Sequence, residues 1–85
     1  MRVVVVYKSE SDHAREVFSW LRDFTRQTGR EVEQVDPETR EGADFCRTYD
    51  VVQYPSMLAL SDDGRLQNFW VGSPLPTISE VSFYA

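Results

Sequence analysis

Four consecutive valines, Val3-Val4-Val5-Val6, stand near the start of the chain between Arg2 and Tyr7. A strand with one face in water alternates apolar and polar residues. An unbroken β-branched run is instead the pattern of a strand covered on both faces. Such a strand predicts a sheet with helices packed on each side, hence an α/β chain in three layers. With 85 residues the chain has room for one sheet of this kind. The scaling of surface with mass gives roughly 5,200 Å² folded against about 14,400 Å² unfolded, so residues 1–85 are expected to form a single domain with one modest core.

Elements able to cover that strand follow in order. Ser9, Ser11 and Asp12 offer N-cap oxygens, and Ala14, Val17, Phe18, Leu21 and Phe24 then recur at helical spacing, with Trp20 at the border of the stripe. Gly29 predicts the stop, since a residue that tolerates positive φ suits the position after a helix. Glu31 to Asp36 reads as a short polar edge strand ended by Pro37. From Glu38 to Tyr49 a weaker helical pattern places Ala43, Phe45, Cys46 and Tyr49 on an inner face, and Asp50 to Gln53 reads as loop. Ser56 to Leu60 and Leu66 to Val71 read as two strands joined through the hairpin signal Asp62-Asp63-Gly64. Gly72, Pro74 and Pro76 break the chain before a short last element, Thr77 to Tyr84. The expected order is β-α-β-α-β-β-α. A right-handed βαβ unit followed by a hairpin makes a mixed four-stranded sheet with helices on both faces.

Composition removes several classes of function. One cysteine, Cys46, can close no internal disulfide, and with His13 as the only histidine it cannot supply a structural zinc site. Nine Lys and Arg stand against fourteen Asp and Glu, and no basic run is present, so nucleic acid is not an expected partner. The apolar run Val3 to Tyr7 falls short of a secretory core of about 7 residues or more, and far short of the roughly 20 needed to span a bilayer. No membrane association and a cytoplasmic location are expected. The acidic excess lies in residues 31–64, whereas residues 66–85 carry one charge, Glu80, among Phe69, Trp70, Phe83, Tyr84 and other apolar side chains. Packing within the domain is the ordinary fate of such a stretch. Its alternative is a face of Phe69, Trp70, Phe83 and Tyr84 buried against another protein or a second copy.

The order of elements, with the stretch from Val35 to Gly72, resembles the thioredoxin-like superfamily in its compact, glutaredoxin-sized form. Val35-Asp36-Pro37 is similar to the end of the family's second strand. Tyr49-Asp50-Val51-Val52-Gln53-Tyr54-Pro55-Ser56 is similar to its "Tyr, x, Val, x, x, x, Pro, Thr" segment. Asp62-Asp63-Gly64-Arg65 and Trp70-Val71-Gly72 match its hairpin and closing glycine. The resemblance implies a thioredoxin-like three-layer sandwich and a cis peptide bond between Tyr54 and Pro55. It also implies a groove in which the backbone of Tyr54, facing the loop Lys8 to His13, pairs with an extended peptide or with glutathione.

The chain departs from the family where the family's chemistry resides. Redox members carry Cys-x-x-Cys at the start of the first helix, because the helix N-terminus stabilises a thiolate. Here that loop reads Ser9-Glu10-Ser11-Asp12-His13-Ala14, and the first strand, which in thioredoxin-type enzymes holds a buried carboxylate, reads Val3 to Val6. Dithiol exchange is therefore not expected, nor is an enzyme of this type. Cys46 falls late in the second helix, on the opposite face of the sheet from the first, where a buried thiol acts as a small hydrophobe. A half-exposed thiol open to glutathionylation or intermolecular bridging is its alternative. Ser11, Asp12 and His13 are adjacent in sequence, whereas a catalytic triad needs each side chain aimed at the next, so helix capping is the expected role. No metal and no cofactor are expected, since three ligands would have to converge around His13. What remains is a candidate groove of Ser9, Ser11, Asp12, His13, Tyr54 and Pro55 for a protein partner. A small anionic or glutathione-like ligand, bound or turned over at the helix N-terminus, is the alternative.

Overall fold

The valine run becomes β1 (Arg2–Val6), and the pleat divides it between two cores. The structure, a computed structural model describing Met1–Ala85, continues with α1 (Ala14–Thr28), β2 (Glu33–Val35), α2 (Arg40–Tyr49), β3 (Ser56–Leu60), β4 (Leu66–Val71) and α3 (Ile78–Ser82). Strand order is β2-β1-β3-β4, with β1 parallel to β2 and antiparallel to β3, and β3 antiparallel to β4. Val3 and Val5 join Val17 and Phe24 of α1, Met57 of β3 and Val81 of α3 on one face. Val4 and Val6 join Cys46 of α2, Val51, Leu58 and Leu60 on the other. All five residues of β3 are buried, as a central strand between two layers requires. The folded chain exposes 5411 Å², near the value its mass predicts. No helix is long and apolar enough to cross a membrane.

Two helical assignments differ from the sequence reading for identifiable reasons. Trp20 and Phe18 lie about 80° to either side of the centre of the α1 stripe, so periodicity alone treats them equally. The neighbours decide between them. On the Trp20 side the chain before α3 covers the ring, which stacks on Phe24 at 5.0 Å and donates its Nε1–H to Pro76 O at 2.7 Å. On the Phe18 side the ring meets Tyr7 edge to face at 5.7 Å, and Phe18 stays 50% exposed. In α2 the inner face includes Gly42, which is buried, alongside Cys46.

Both rims of the sheet are blunted. β2 has three residues, fewer than the Glu31 to Asp36 stretch suggests, and the Glu33 carboxylate pairs with the Arg2 guanidinium through bonds of 2.9 and 2.8 Å. On β4 the register and the Gly72 N–H bond to Pro55 O (2.8 Å) turn the Phe69 N–H away from β3. The Asn68 side chain covers that outward donor, its Oδ1 accepting the Phe69 N–H at 2.8 Å while its Nδ2 donates to the Tyr84 hydroxyl at 3.2 Å.

Candidate functional site

Three loops converge at one end of the sheet. β1 and β3 run antiparallel with Val6 opposite Ser56, and Ser56 lies opposite Val71. The segment after β1 (Lys8 to His13), the one before β3 (Val51 to Pro55) and the one after β4 (Gly72 to Pro74) are therefore neighbours.

The first loop folds back on itself. The Lys8 N–H donates to His13 Nε2 at 3.2 Å, and the Ser11 hydroxyl donates to Lys8 O. The expectation that Ser9, Ser11 or Asp12 caps α1 with a side-chain oxygen is corrected here. His13 is the N-cap, with φ −85° and ψ −8°, and no side chain caps the helix. The reason is local. Carbonyls serve the first donors, Ser11 O taking the Ala14 N–H and His13 O the Val17 N–H, each at 3.2 Å, while the Ser11 hydroxyl is committed backwards. Ser9 and Asp12 are exposed at the rim.

The second loop approaches the first from the β3 side. The Tyr54-Pro55 peptide bond is cis and Pro55 is buried. Pro55 O accepts the Gly72 N–H, and the Ser56 hydroxyl donates to Gln53 O at 2.6 Å. Tyr54 itself makes no backbone hydrogen bond within the chain, through either its N–H or its C=O. The Lys8 ammonium sits 5.4 Å above the centre of the Tyr54 ring. That ring packs toward α2, where it meets Cys46. Burial pushes the Cys46 thiol's pKa up, opposed in part by the nearby Tyr54 hydroxyl, and burial together with Cys46 raises that of Tyr54.

The third loop contains a second cis bond, Ser73-Pro74, for which the sequence carries no comparable signal. The Ser73 hydroxyl donates to the Glu16 carboxylate at 3.3 Å, tying the loop to the first turn of α1. A carboxylate thus already stands where the helix dipole favours negative charge.

Among solved structures, thioredoxin 1 from the thermophilic eubacterium Thermosipho africanus superposes with a TM-score of 0.66 over 95% of this chain and 85% of that chain, at 14% identity. The chain has a thioredoxin-like fold. No family model and no curated protein matches its sequence. At this identity the likeness is one of backbone path, and what the side chains do follows from their own contacts.

In this thioredoxin-like frame the start of the first helix carries hydroxyl, acid and imidazole groups, and the first strand carries only valines where it is buried. Cys46 is 7% exposed and lies across the sheet from α1. No three His, Cys, Asp or Glu side chains gather anywhere in a way that could hold a metal ion. The three concavities of the molecule lie away from the three loops, which together form an open surface rather than a pocket.

The second candidate surface is split. Trp70 and Tyr84 meet at 5.6 Å and 73°, Phe83 and Tyr84 at 5.1 Å and 79°, and Phe83 is 83% exposed. Phe69 does not belong with them. Period-two alternation along β4 turns it onto the α2 face, against the Leu58 and Leu60 cluster, while Trp70 faces the α1 side. Grouping them as one face is corrected accordingly.

Proposed function

We propose that this protein is a redox-inactive, thioredoxin-like binding domain that takes an extended segment of a partner protein along the Tyr54-Pro55 loop. The observation that carries this reading is the Tyr54 backbone, whose N–H and C=O have no partner within the chain although they stand between two ordered loops. Unpaired main-chain groups in extended conformation are what a partner strand pairs with. Val52, 76% exposed two residues earlier, adds an apolar contact for the incoming side chains. A surface without an enclosing pocket suits an extended chain better than a small molecule enclosed on all sides. Glu16 at the first turn of α1 weighs against an anionic ligand there. Dithiol exchange needs an accessible thiolate, and the one thiol is buried, with its ionisation disfavoured. A free cysteine fits a reducing, cytosolic setting.

The test is selection of linear peptides from a random library, followed by NMR shift mapping with the tightest one. Perturbation is expected at residues 9–13, 52–55 and 72–73, and Val52→Asp should weaken binding by about fivefold or more without changing the melting temperature. Insulin reduction should show no turnover. Peptides that map elsewhere, or turnover abolished by Cys46→Ser, would overturn the reading. Shifts confined to residues 9–14 and 54–56 with millimolar glutathione would favour the small-ligand alternative.

A further inference from the structure

Away from the three loops, β4 and α3 enclose an open depression of about 420 Å³ lined by Asn68, Trp70, Ser79, Glu80, Phe83 and Tyr84. Its aromatic rings stand at steep angles to one another, 73° between Trp70 and Tyr84 and 79° between Tyr84 and Phe83. Glu80 is the only charged residue in the last twenty, and its carboxylate is held in place by a capping box. Oε1 accepts the Thr77 N–H at 3.1 Å and the Thr77 hydroxyl at 3.0 Å, while Oε2 accepts no hydrogen bond from the chain. The Thr77 bonds, with a smaller contribution from the Trp70 indole N–H, which lies near the carboxylate without forming a hydrogen bond to it, hold the Glu80 carboxyl below its usual range, so it is ionised at neutral pH.

We propose that this corner receives the side-chain ammonium of a lysine from a partner protein. The chemistry of the lining selects that group. Aromatic faces attract a cation, and a fixed carboxylate beside them supplies the countercharge. A primary ammonium has three donors, and the residues that line the depression carry three acceptors: Glu80 Oε2, the Ser79 hydroxyl and the Tyr84 hydroxyl, which still has a lone pair beside its bond from Asn68. The lysine stem would lie against Phe83, covering a ring that water now surrounds. A guanidinium is a poorer match, because its planar fork is best satisfied by both oxygens of a carboxylate and Oε1 is already engaged. An aliphatic side chain would strip water from the Glu80 carboxylate and return nothing. The net charge of −5 adds a general attraction for a basic partner.

The probe is Nα-acetyl-lysine N-methylamide, titrated to tens of millimolar at constant ionic strength and read by NMR. Its controls are the norleucine and arginine analogues. Lysine should shift the Trp70 indole N–H and the Phe83 and Tyr84 amides, and the norleucine analogue should leave them in place. Glu80→Gln keeps the capping box, which accepts Gln at that position, yet should lower affinity by about three- to tenfold. Phe83→Ala, at an exposed position, should also weaken binding while leaving the melting temperature unchanged. The assignment is overturned by equal shifts with norleucine, by tighter binding of arginine, by unchanged affinity in Glu80→Gln, or by no shift with lysine at all.

Discussion

Replacing Gly42 with alanine sets two effects of opposite sign against each other. On helix propensity alone the change adds stability, because alanine in a helix is favoured over glycine by about 1 kcal/mol. Steric conflict with the preceding loop outweighs that gain. A Cβ on Gly42 would stand 1.7 Å from Asp36 O, 2.6 Å from Asp36 C and 2.8 Å from Thr39 Oγ1. Close carbon–oxygen approaches in proteins fall near 3.3 Å, so backbone must part from backbone by about 1.6 Å. Neither side yields freely. Asp36 O accepts the Thr39 N–H at 3.1 Å and the Thr39 hydroxyl at 2.8 Å, and Thr39 Oγ1 accepts the Gly42 N–H at 3.0 Å as the cap of α2. Overpacking costs about 1–3 kcal/mol, loss of the cap about 1 and loss of the Thr39–Asp36 bond about 1, so Gly42→Ala should destabilise by about 2–4 kcal/mol after the propensity gain is subtracted. At about 0.05–0.15 kcal/mol per residue the whole domain holds only about 4–13 kcal/mol, and the melting temperature should fall by about 10–30 °C. Urea unfolding followed by circular dichroism measures the loss. Gly29→Ala is the control, since Gly29 has φ 71° with no atom near its Cβ position, and only the left-handed backbone cost of about 1–2 kcal/mol applies there. A neutral or stabilised Gly42→Ala protein would refute the argument.

Four further expectations concern Cys46, the phenols of Tyr7 and Tyr54, and the two rims. Cys46 should react with iodoacetamide more than about tenfold more slowly in the folded protein than in urea. Folding keeps Cys46, Tyr7 and Tyr54 in their neutral forms. Their raised pKa values leave stability intact below the unfolded values, about 8.5 for the thiol and 10 for the phenols, and stability should decline as pH rises past each; a flat profile there contradicts the burial. Glu33→Gln should cost no more than about 1 kcal/mol, because both partners of the Arg2 pair are about half exposed. Arg2 lowers the Glu33 pKa, so the difference from wild type should be present above the ordinary carboxylate range and vanish as pH falls through the folded value; a difference that persists in acid would contradict this origin. Asn68→Val uncovers the outward Phe69 N–H, and sedimentation should show stronger self-association than wild type; equal behaviour would mean that Asn68 does not guard the edge.

Much of the architecture was legible because it rests on local pattern. The Val3 to Val6 run requires cover on both sides, Gly29 ends α1 in the left-handed conformation with φ 71°, and the position of Cys46 in the element order puts it across the sheet from α1. What stayed hidden depends on neighbours that sequence spacing does not encode. Phe18 and Trp20 are symmetric in the helical pattern and differ in their neighbours, since Pro76 and Phe24 hold the Trp20 ring whereas Phe18, edge to face with Tyr7, stays half exposed. Gly42 reads as a helix-weakening residue until the Asp36 carbonyl is seen beside it. Ser11 has the composition of a cap, yet its hydroxyl takes the nearer Lys8 carbonyl. Phe69 and Trp70 are one residue apart and therefore belong to different cores, a separation that strand alternation could have disclosed.

The burial of β1 and β3 bears on how the loop surface would meet a ligand. Lys8 to His13 leaves the end of β1 and Tyr54-Pro55 leads into β3, so both are carried by strands held between two packed layers, and the Ser73 contact with Glu16 anchors the third loop to α1. Their separation is set before any partner arrives. Most of the ordering cost of association then falls on the incoming chain. Binding should proceed with little movement of the domain's backbone, and affinity should respond more to rigidity in the ligand than to changes in the loops' own flexibility. A conformationally restrained peptide that matches the edge of Tyr54 should dissociate more slowly than its flexible counterpart of the same sequence.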